Sequence, residues 1–517
     1  MRARAIVLVV LGLVGLVLVG ALVSPVKAPR GSTGTGATAL LPVVSLSSSA
    51  SRIWSCPGPL PVGAGHDKSE IALLNAGEAN LVATLQVTTV SPVSQKNPVA
   101  TGTAKGSGSR LDLPGRTQQI FDLPTTGPAG LASVTVVTSG SPVAVSELTI
   151  PFSGSNREAP LEAPCESGTS TKAYLLANST LGASASTLTI SNPTATPAVT
   201  DVTVFGQTAA VSPAPLQGIA VPPDGAVTVD LGRYVVQQGA FAVSVTSVSG
   251  RIAGGAFDLV SASGTSGGGF VVGSGVPEAQ WQLPPGSAQA GRTLVVNILD
   301  PTSHATTVTV ATPLYGKPTS QMSAQVPPQT DVSVSVPVAD GSRWATTAVP
   351  GTVSEGPVSV RASGGVPILV AEAEQLPVVS SPGASSTGSS GSGSGTSGST
   401  APKVATVSMP PLEQASDWLV PAAATTPGLE DDVVGCNTGN RLEQASLEVV
   451  GVTAQSAPTL ANFQVSPGAC WSVPLSASIA ESLAVGLEVS SSGPMVVDQV
   501  FAIGNVASVA VAVPGTR

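Results

Sequence analysis

The chain has 517 residues, too many for one hydrophobic core and enough for three or four domains. Only 10% of its residues are charged, against about 25% in ordinary globular proteins, while 42% are hydrophobic and just 3% aromatic. The net charge is −9 and the 21 Lys and Arg are scattered without a run, so the counterion release that drives nucleic-acid binding is missing and no nucleic-acid partner is expected.

Val, Ala, Leu and Ile must therefore fill the cores, and the 57 Gly and 45 Pro supply turns. β-Branched residues fit a pleated, half-buried surface, so the expected class is all-β.

From the N-terminus, Met1-Arg2-Ala3-Arg4 leads into an uncharged run from Ala5 to Val23. Nineteen residues as a helix span about 28 Å, close to the hydrocarbon thickness of a bilayer. Residues 1–30 are expected to be a transmembrane signal anchor. Arg2 and Arg4 favour the cytoplasmic side, which places the rest outside the membrane in a single-pass topology. Val26-Lys27-Ala28 resembles a cleavage site, but Pro29 follows it; secretion after cleavage is the alternative. Residues 31–50 read as a polar stalk.

Four related segments follow, expected at 51–160, 165–262, 276–378 and 410–517. Asn192 precedes Pro222 by thirty residues, Asn297 precedes Pro327 by thirty, and Asn437 precedes Pro467 by thirty. An aromatic residue sits sixteen to nineteen residues before each Asn: Tyr174, Trp281 and Trp418. A looser copy holds Trp54, Leu74-Asn75 and Leu113-Pro114-Gly115, with Gln95–Ser109 read as a polar insertion. Hairpin-like pairs are expected about Ser139-Gly140, Ser249-Gly250, Gly364-Gly365 and Ser492-Gly493. Each segment carries about seven short alternating strands, the count of an immunoglobulin-like β-sandwich. Four tandem sandwiches are expected, with a β-propeller-like arrangement as the alternative. Residues 380–402 are Ser/Gly-rich, a flexible linker that would tether the fourth domain loosely.

Cys56, Cys165, Cys436 and Cys470 all lie beyond the anchor, where disulfides persist. Four cysteines allow three pairings. Proximity favours Cys56–Cys165 and Cys436–Cys470, each worth roughly 4–5 kcal/mol by loop-closure entropy. No C-x-x-C is present for zinc or redox work.

Chemistry is otherwise scarce, and no catalytic, metal or cofactor site is expected. The histidines are His66, beside Asp67, and His304, in a turn and expected to face solvent. Gly393–Gly398 spells G-x-G-x-x-G inside the linker, without the strand and helix that a dinucleotide fingerprint requires. Gly264-Thr265-Ser266-Gly267-Gly268 spells G-x-S-x-G but lacks the elbow's context, and reads as a flexible loop. Glu430-Asp431-Asp432 reads as a solvated acidic loop, because adjacent carboxylates in an extended segment point opposite ways and do not chelate calcium. Trp54, Trp281 and Trp418 hold matching places in the repeat, which favours a core or domain-junction role over a sugar-stacking platform. Asn192, Asn297, Pro222 and Pro327 read as turn residues.

Cys56-Pro57 after the membrane segment, Cys165 ahead of Leu188–Pro193, Asp201–Gly206 and Gly218–Pro223 together resemble an uncharacterised family of actinobacterial exported proteins, a domain of unknown function. The resemblance implies an extracytoplasmic envelope protein with a Cys56–Cys165 bond, and no known activity. The expected function is a non-enzymatic structural or interaction scaffold of the cell envelope, with an envelope protein as partner. The alternative is a binding module for cell-wall glycans or peptides.

Overall fold

A computed structural model describes residues 44–45 and most of 52–516; the larger intervals outside it are 92–98, 286–292, 313–318, 337–350, 377–402, 409–414 and 452–461. The expected anchor, most of the stalk, the Ser/Gly linker with its G-x-G-x-x-G, and His66 lie outside the described residues. Among those described, no helix is long and apolar enough to cross a membrane.

The protein is all-β; among the described residues there are eight sheets and none closes into a barrel. Residues 40–517 form one compact unit. Within it one strand order recurs in four places, designated units I to IV. In unit I an outer sheet runs Arg52–Val62, Gly130–Thr138, Leu81–Val90, Ser109–Leu113. Facing it over a shared core, an inner sheet runs Leu161–Pro164, Val143–Ile150, Lys68–Asn75, Thr117–Asp122. Unit II repeats the order from Lys172–Asn178 to Thr265–Val272, and unit III from Gln280–Leu283 to Lys403–Ser408. In unit IV both layers belong to one ten-stranded sheet. There Val485–Ile503 spans both, pairing Ala415–Ala423 and Glu443–Val450 with its first half and Glu430–Asn437 with its second.

The segments about Ser139-Gly140, Ser249-Gly250, Gly364-Gly365 and Ser492-Gly493 are corners, not hairpins. The strands on either side enter opposite sheets, or opposite layers in unit IV, and do not pair with each other. Hydroxyls hold the bends: Thr138 Oγ1 donates to the Gly140 carbonyl at 2.9 Å, and Ser247 Oγ to the Ser249 carbonyl at 2.7 Å.

Outer and inner strands bury differently. Thr306–Thr312 of an outer sheet alternates, with Val308 and Val310 inside and Thr307 and Thr309 toward solvent, as a half-covered sheet requires. Val143–Ile150 of an inner sheet is buried at all eight positions. Its second face is covered by neighbouring units. The last strand of each inner sheet makes this possible. Leu161–Pro164 packs on Thr265–Val272 and on Val506–Val511, and Lys403–Ser408 packs on the same two. The four inner strands thus touch in a closed cycle, and the units surround a common centre as blades would, each a pair of sheets.

From Thr265 onward the segment expected as a flexible loop is a strand: Thr265–Val272 is one of these central strands, antiparallel to Ala253–Ala262. Gly255 lets units I and II approach closely: a Cβ there would lie 2.3 Å from the Gly58 carbonyl oxygen.

Strands also cross between units. Val99–Thr103, inside the expected polar insertion, pairs with Gly225–Asp230 of unit II, and Ala100 is buried against Val90 and Ala226. Gly351–Thr352 pairs with Cys470–Pro474 of unit IV, and Val44–Ser45 lies parallel to Val513–Thr516. Unit IV is not loosely tethered. Its Leu419, Val450 and Val513 enter the core of unit I, because the first and last units are neighbours in the cycle. Arg116 of unit I reaches across to Glu448 and Glu488 at 2.5 Å each. This guanidinium is half-buried, so Arg116→Ala is expected to cost about 1–2 kcal/mol. Melting of the variant against Glu448→Gln, whose carboxylate is the more exposed and should cost less, checks it.

Candidate functional site

The aromatic platform does not form. Trp54, Trp281 and Trp418 are buried, and the Trp281 indole donates to the carbonyls of Glu278 at 3.2 Å and Ile368 at 3.0 Å. His304 is exposed in its turn beside Ser303. The cysteines join as Cys56–Cys165 and Cys436–Cys470. Glu147 lies close enough to Cys56 and Cys165 to resemble a three-ligand metal site, but both sulfurs are spent in the disulfide and no thiolate is present to bind an ion.

The turn residues fall into a more exact pattern than the thirty-residue spacing. Asn192 Nδ2 donates to the carbonyls of Thr196, Val221 and Pro222, while its Oδ1 accepts from the Thr194 amide. Asn75 does the same in unit I, and Asn437 of unit IV donates to the carbonyls of Arg441 and Val465 and accepts from the Gly439 amide. In unit III the position belongs to Asp300, whose Oδ1 accepts from the Thr302 amide at 2.8 Å. Asn297 is not a turn residue. It sits within Thr293–Asp300, buried, and accepts from Ser333 Oγ at 2.7 Å.

The unusual chemistry lies where units meet. Glu430-Asp431-Asp432 is not a solvated loop but the start of the strand Glu430–Asn437, and alternation drives Asp431 inside at 1% exposure. Both its oxygens accept from Gln499 Nε2 at 2.9 Å, and Glu162 of unit I stands near it. Burial, with Asp431 adding to it, pushes the Glu162 carboxyl up to about 8. Between units I and II, Glu147 Oε2 accepts from the Gly58 amide at 2.9 Å and Glu166 Oε1 from the Gly254 amide at 3.1 Å. Burial raises Glu147 to about 8 and Glu166 well above the carboxylate range, where Glu147 adds its repulsion. Between units III and IV, Glu372 and Asp498 lie against each other, and burial raises Asp498. Between units II and III, Asp331 is buried with neither oxygen bonded, and burial raises it to about 8; its own amide donates to the Gly206 carbonyl of unit II.

Of these acids only Asp431 belongs to a motif read from the sequence. The signal that carries three of them, Glu147, Glu372 and Asp498, is an acid repeated within the equivalent inner strand of every unit, where unit II has the buried Asp258. On an alternating strand such a residue reads as solvent-facing. Here both faces of the strand are covered.

The fold and this junction chemistry define an all-β protein of repeated two-sheet units with acid-lined interfaces. Residues 161–284 match the family model described as Family of unknown function (DUF5719). The matched segment runs from the last inner strand of unit I, through unit II, to the first strand of unit III. No curated protein and no solved structure matches the chain.

Proposed function

We propose that the chain is a non-enzymatic scaffold of the cell envelope: four tandem immunoglobulin-like sandwiches outside the membrane, closed on themselves and held by the N-terminal anchor. The carrying observation is the closed cycle of inner strands, since mutually covered units make a rigid body that presents outer sheets and loops to a partner. The position of the acids supports the same reading, because carboxyls sealed inside junctions are poorly placed to meet a substrate. Burial of Trp54, Trp281 and Trp418 weighs against a glycan-binding module, which stacks sugars on exposed rings.

Two measurements on the full chain test it. Fractionated membranes should retain the protein through an alkaline carbonate wash and release it in detergent; recovery in the soluble fraction would end the anchored version. Insoluble cell wall should then fail to co-sediment the detergent-solubilised chain saturably. Saturable sedimentation would replace the scaffold by the wall-binding reading.

A further inference from the structure

Where units I and II meet, the Cys56–Cys165 bond lies among acids. A carboxylate oxygen of Glu147 and the two sulfurs all lie within 4.8 Å of one another, and all three residues are buried. Glu166 follows Cys165 in sequence and stands near enough to Glu147 to feel its charge. Each acid is half satisfied. Glu147 Oε2 accepts from the Gly58 amide at 2.9 Å, and Glu166 Oε1 from the Gly254 amide at 3.1 Å. The remaining oxygens, Glu147 Oε1 and Glu166 Oε2, are buried with no hydrogen-bond partner. Two orphaned acceptors beside two sulfurs point to a cation that all four groups can share.

The frame around the cysteines does not need their bond. Ser55 and Glu166 exchange backbone hydrogen bonds at 2.8 Å, and the Cys165 amide donates to the Val145 carbonyl at 2.9 Å. Cys56 is held opposite Val134 in the ladder between Arg52–Val62 and Gly130–Thr138. Reduction therefore leaves two thiols facing each other beside Glu147. Tetrahedral zinc sits about 2.3 Å from sulfur and about 2.0–2.2 Å from oxygen, so its ligand atoms stand roughly 3.4–3.8 Å apart. Rotation about the Cα–Cβ bonds parts the freed sulfurs that far, and the Glu147 oxygen is already within about 1 Å of its place. The Gly58 and Gly254 amides hold the other oxygen of each acid, as outer partners do around metal ligands.

We propose that the reduced chain binds one zinc ion at this junction, through the Cys56 and Cys165 thiolates and the Glu147 carboxylate, with Glu166 as fourth ligand. The thiolates select zinc over calcium and magnesium, which favour oxygen ligands. Ion and disulfide exclude each other. Zinc binding displaces the two thiol protons. A small-molecule disulfide reverses it: one cysteine thiolate attacks to form a mixed disulfide, and the second attacks that and closes Cys56–Cys165. Two electrons leave with the two departing thiolates, which take up two protons, and the ion is released. The junction is thus held by an ion before oxidation and by a covalent bond after it. Cys436 and Cys470 differ: they pack against Val496, and among the described residues no third ligand stands comparably close to them. The inference does not depend on where the chain resides, so it can fail while the scaffold reading stands.

The test uses the full chain in detergent at neutral pH, reduced by a phosphine under argon and titrated with cobalt(II), then zinc(II). One cobalt per chain should bind, with thiolate-to-cobalt charge-transfer bands and tetrahedral d–d bands that zinc abolishes. The oxidised chain should show none. Cys56→Ser with Cys165→Ser should remove the bands, and Cys436→Ser with Cys470→Ser should leave them. Glu147→Gln should weaken zinc binding by about tenfold or more. Should the variants fail to fold, zinc X-ray absorption on the reduced wild type decides, with two sulfur and two oxygen neighbours expected. A reduced chain that folds only when zinc is added also supports the site, since ion and fold are then coupled. No binding by the reduced chain, or equal binding by the oxidised one, overturns the proposal. So do bands that survive the loss of Cys56 and Cys165, an unchanged affinity in Glu147→Gln, or a zinc shell of sulfur alone or without sulfur.

Discussion

Replacing Cys56 and Cys165 together by serine is expected to lower the unfolding free energy by about 5 kcal/mol and Tm by roughly 5–10 °C. The bond closes a loop with a sequence separation of 109 residues, and loop-closure entropy for that length gives about 4.8 kcal/mol. It ties the first strand of unit I to the connection that leads into unit II. There Ser55 and Glu166 exchange backbone hydrogen bonds at 2.8 Å in both directions. Without the bond, that connection is held to unit I by this bridge and the short strand Leu161–Pro164. Cys436–Cys470 offers an internal comparison. It spans 34 residues, for about 3.8 kcal/mol, and its cysteines are register partners in adjacent strands already joined by a ladder. Cys436→Ser with Cys470→Ser should therefore cost less. Differential scanning calorimetry of both double variants decides the order. An equal or reversed ranking would mean that strand pairing, and not the covalent tie, fixes the junction between units I and II.

What could be seen in the sequence was local. The all-β class follows from composition, and both disulfides from proximity. The Asn192 turn is legible because the residue, its Pro and the preceding strand sit within one supersecondary unit. Two failures have different causes. Asn297 matched the thirty-residue spacing to Pro327, but unit III uses Asp300 at the turn, and aspartate keeps the acceptor oxygen while losing the amide donor. A search by letter settled on the wrong residue; a search by hydrogen-bonding capacity would have found Asp300-Pro301. Asp431 read as solvated because strand alternation presumes one wet face. The wet face is abolished by contacts between residues hundreds of positions apart, such as Leu161–Pro164 with Val506–Val511, and short-range pattern carries no trace of them. The glycine run at 267–269 read as a loop, although it lies within the strand Thr265–Val272.

The turn itself supports the second large effect. Asn192→Ala is expected to cost about 3–4 kcal/mol, because a single 1%-exposed side chain satisfies three carbonyls and the Thr194 amide. Truncation leaves several polar groups buried without partners, each costing about 1–3 kcal/mol before partial relief by water. Asn192→Asp should be no better, since it keeps the acceptor for Thr194 and loses the donor to Thr196, Val221 and Pro222. Unit III runs the same experiment in reverse. Asp300 retains the Thr302 bond, but its other oxygen has no partner, and burial raises its carboxyl above the ordinary value. Asp300→Asn restores a donor where the equivalent asparagines use one, and should stabilise by about 1 kcal/mol at pH 7. The sign with pH is fixed by the raised carboxyl. Below the unfolded value of about 3.9 the aspartic acid is neutral in both states, so the advantage of asparagine is smallest there and grows as pH rises. Urea unfolding at pH 4 and pH 7 reads both effects. If Asn192→Ala lost under 1 kcal/mol, the side chain would be ornament on a turn that the backbone makes alone. If Asp300→Asn destabilised at pH 7, unit III would hold its turn by a route the other three units do not share.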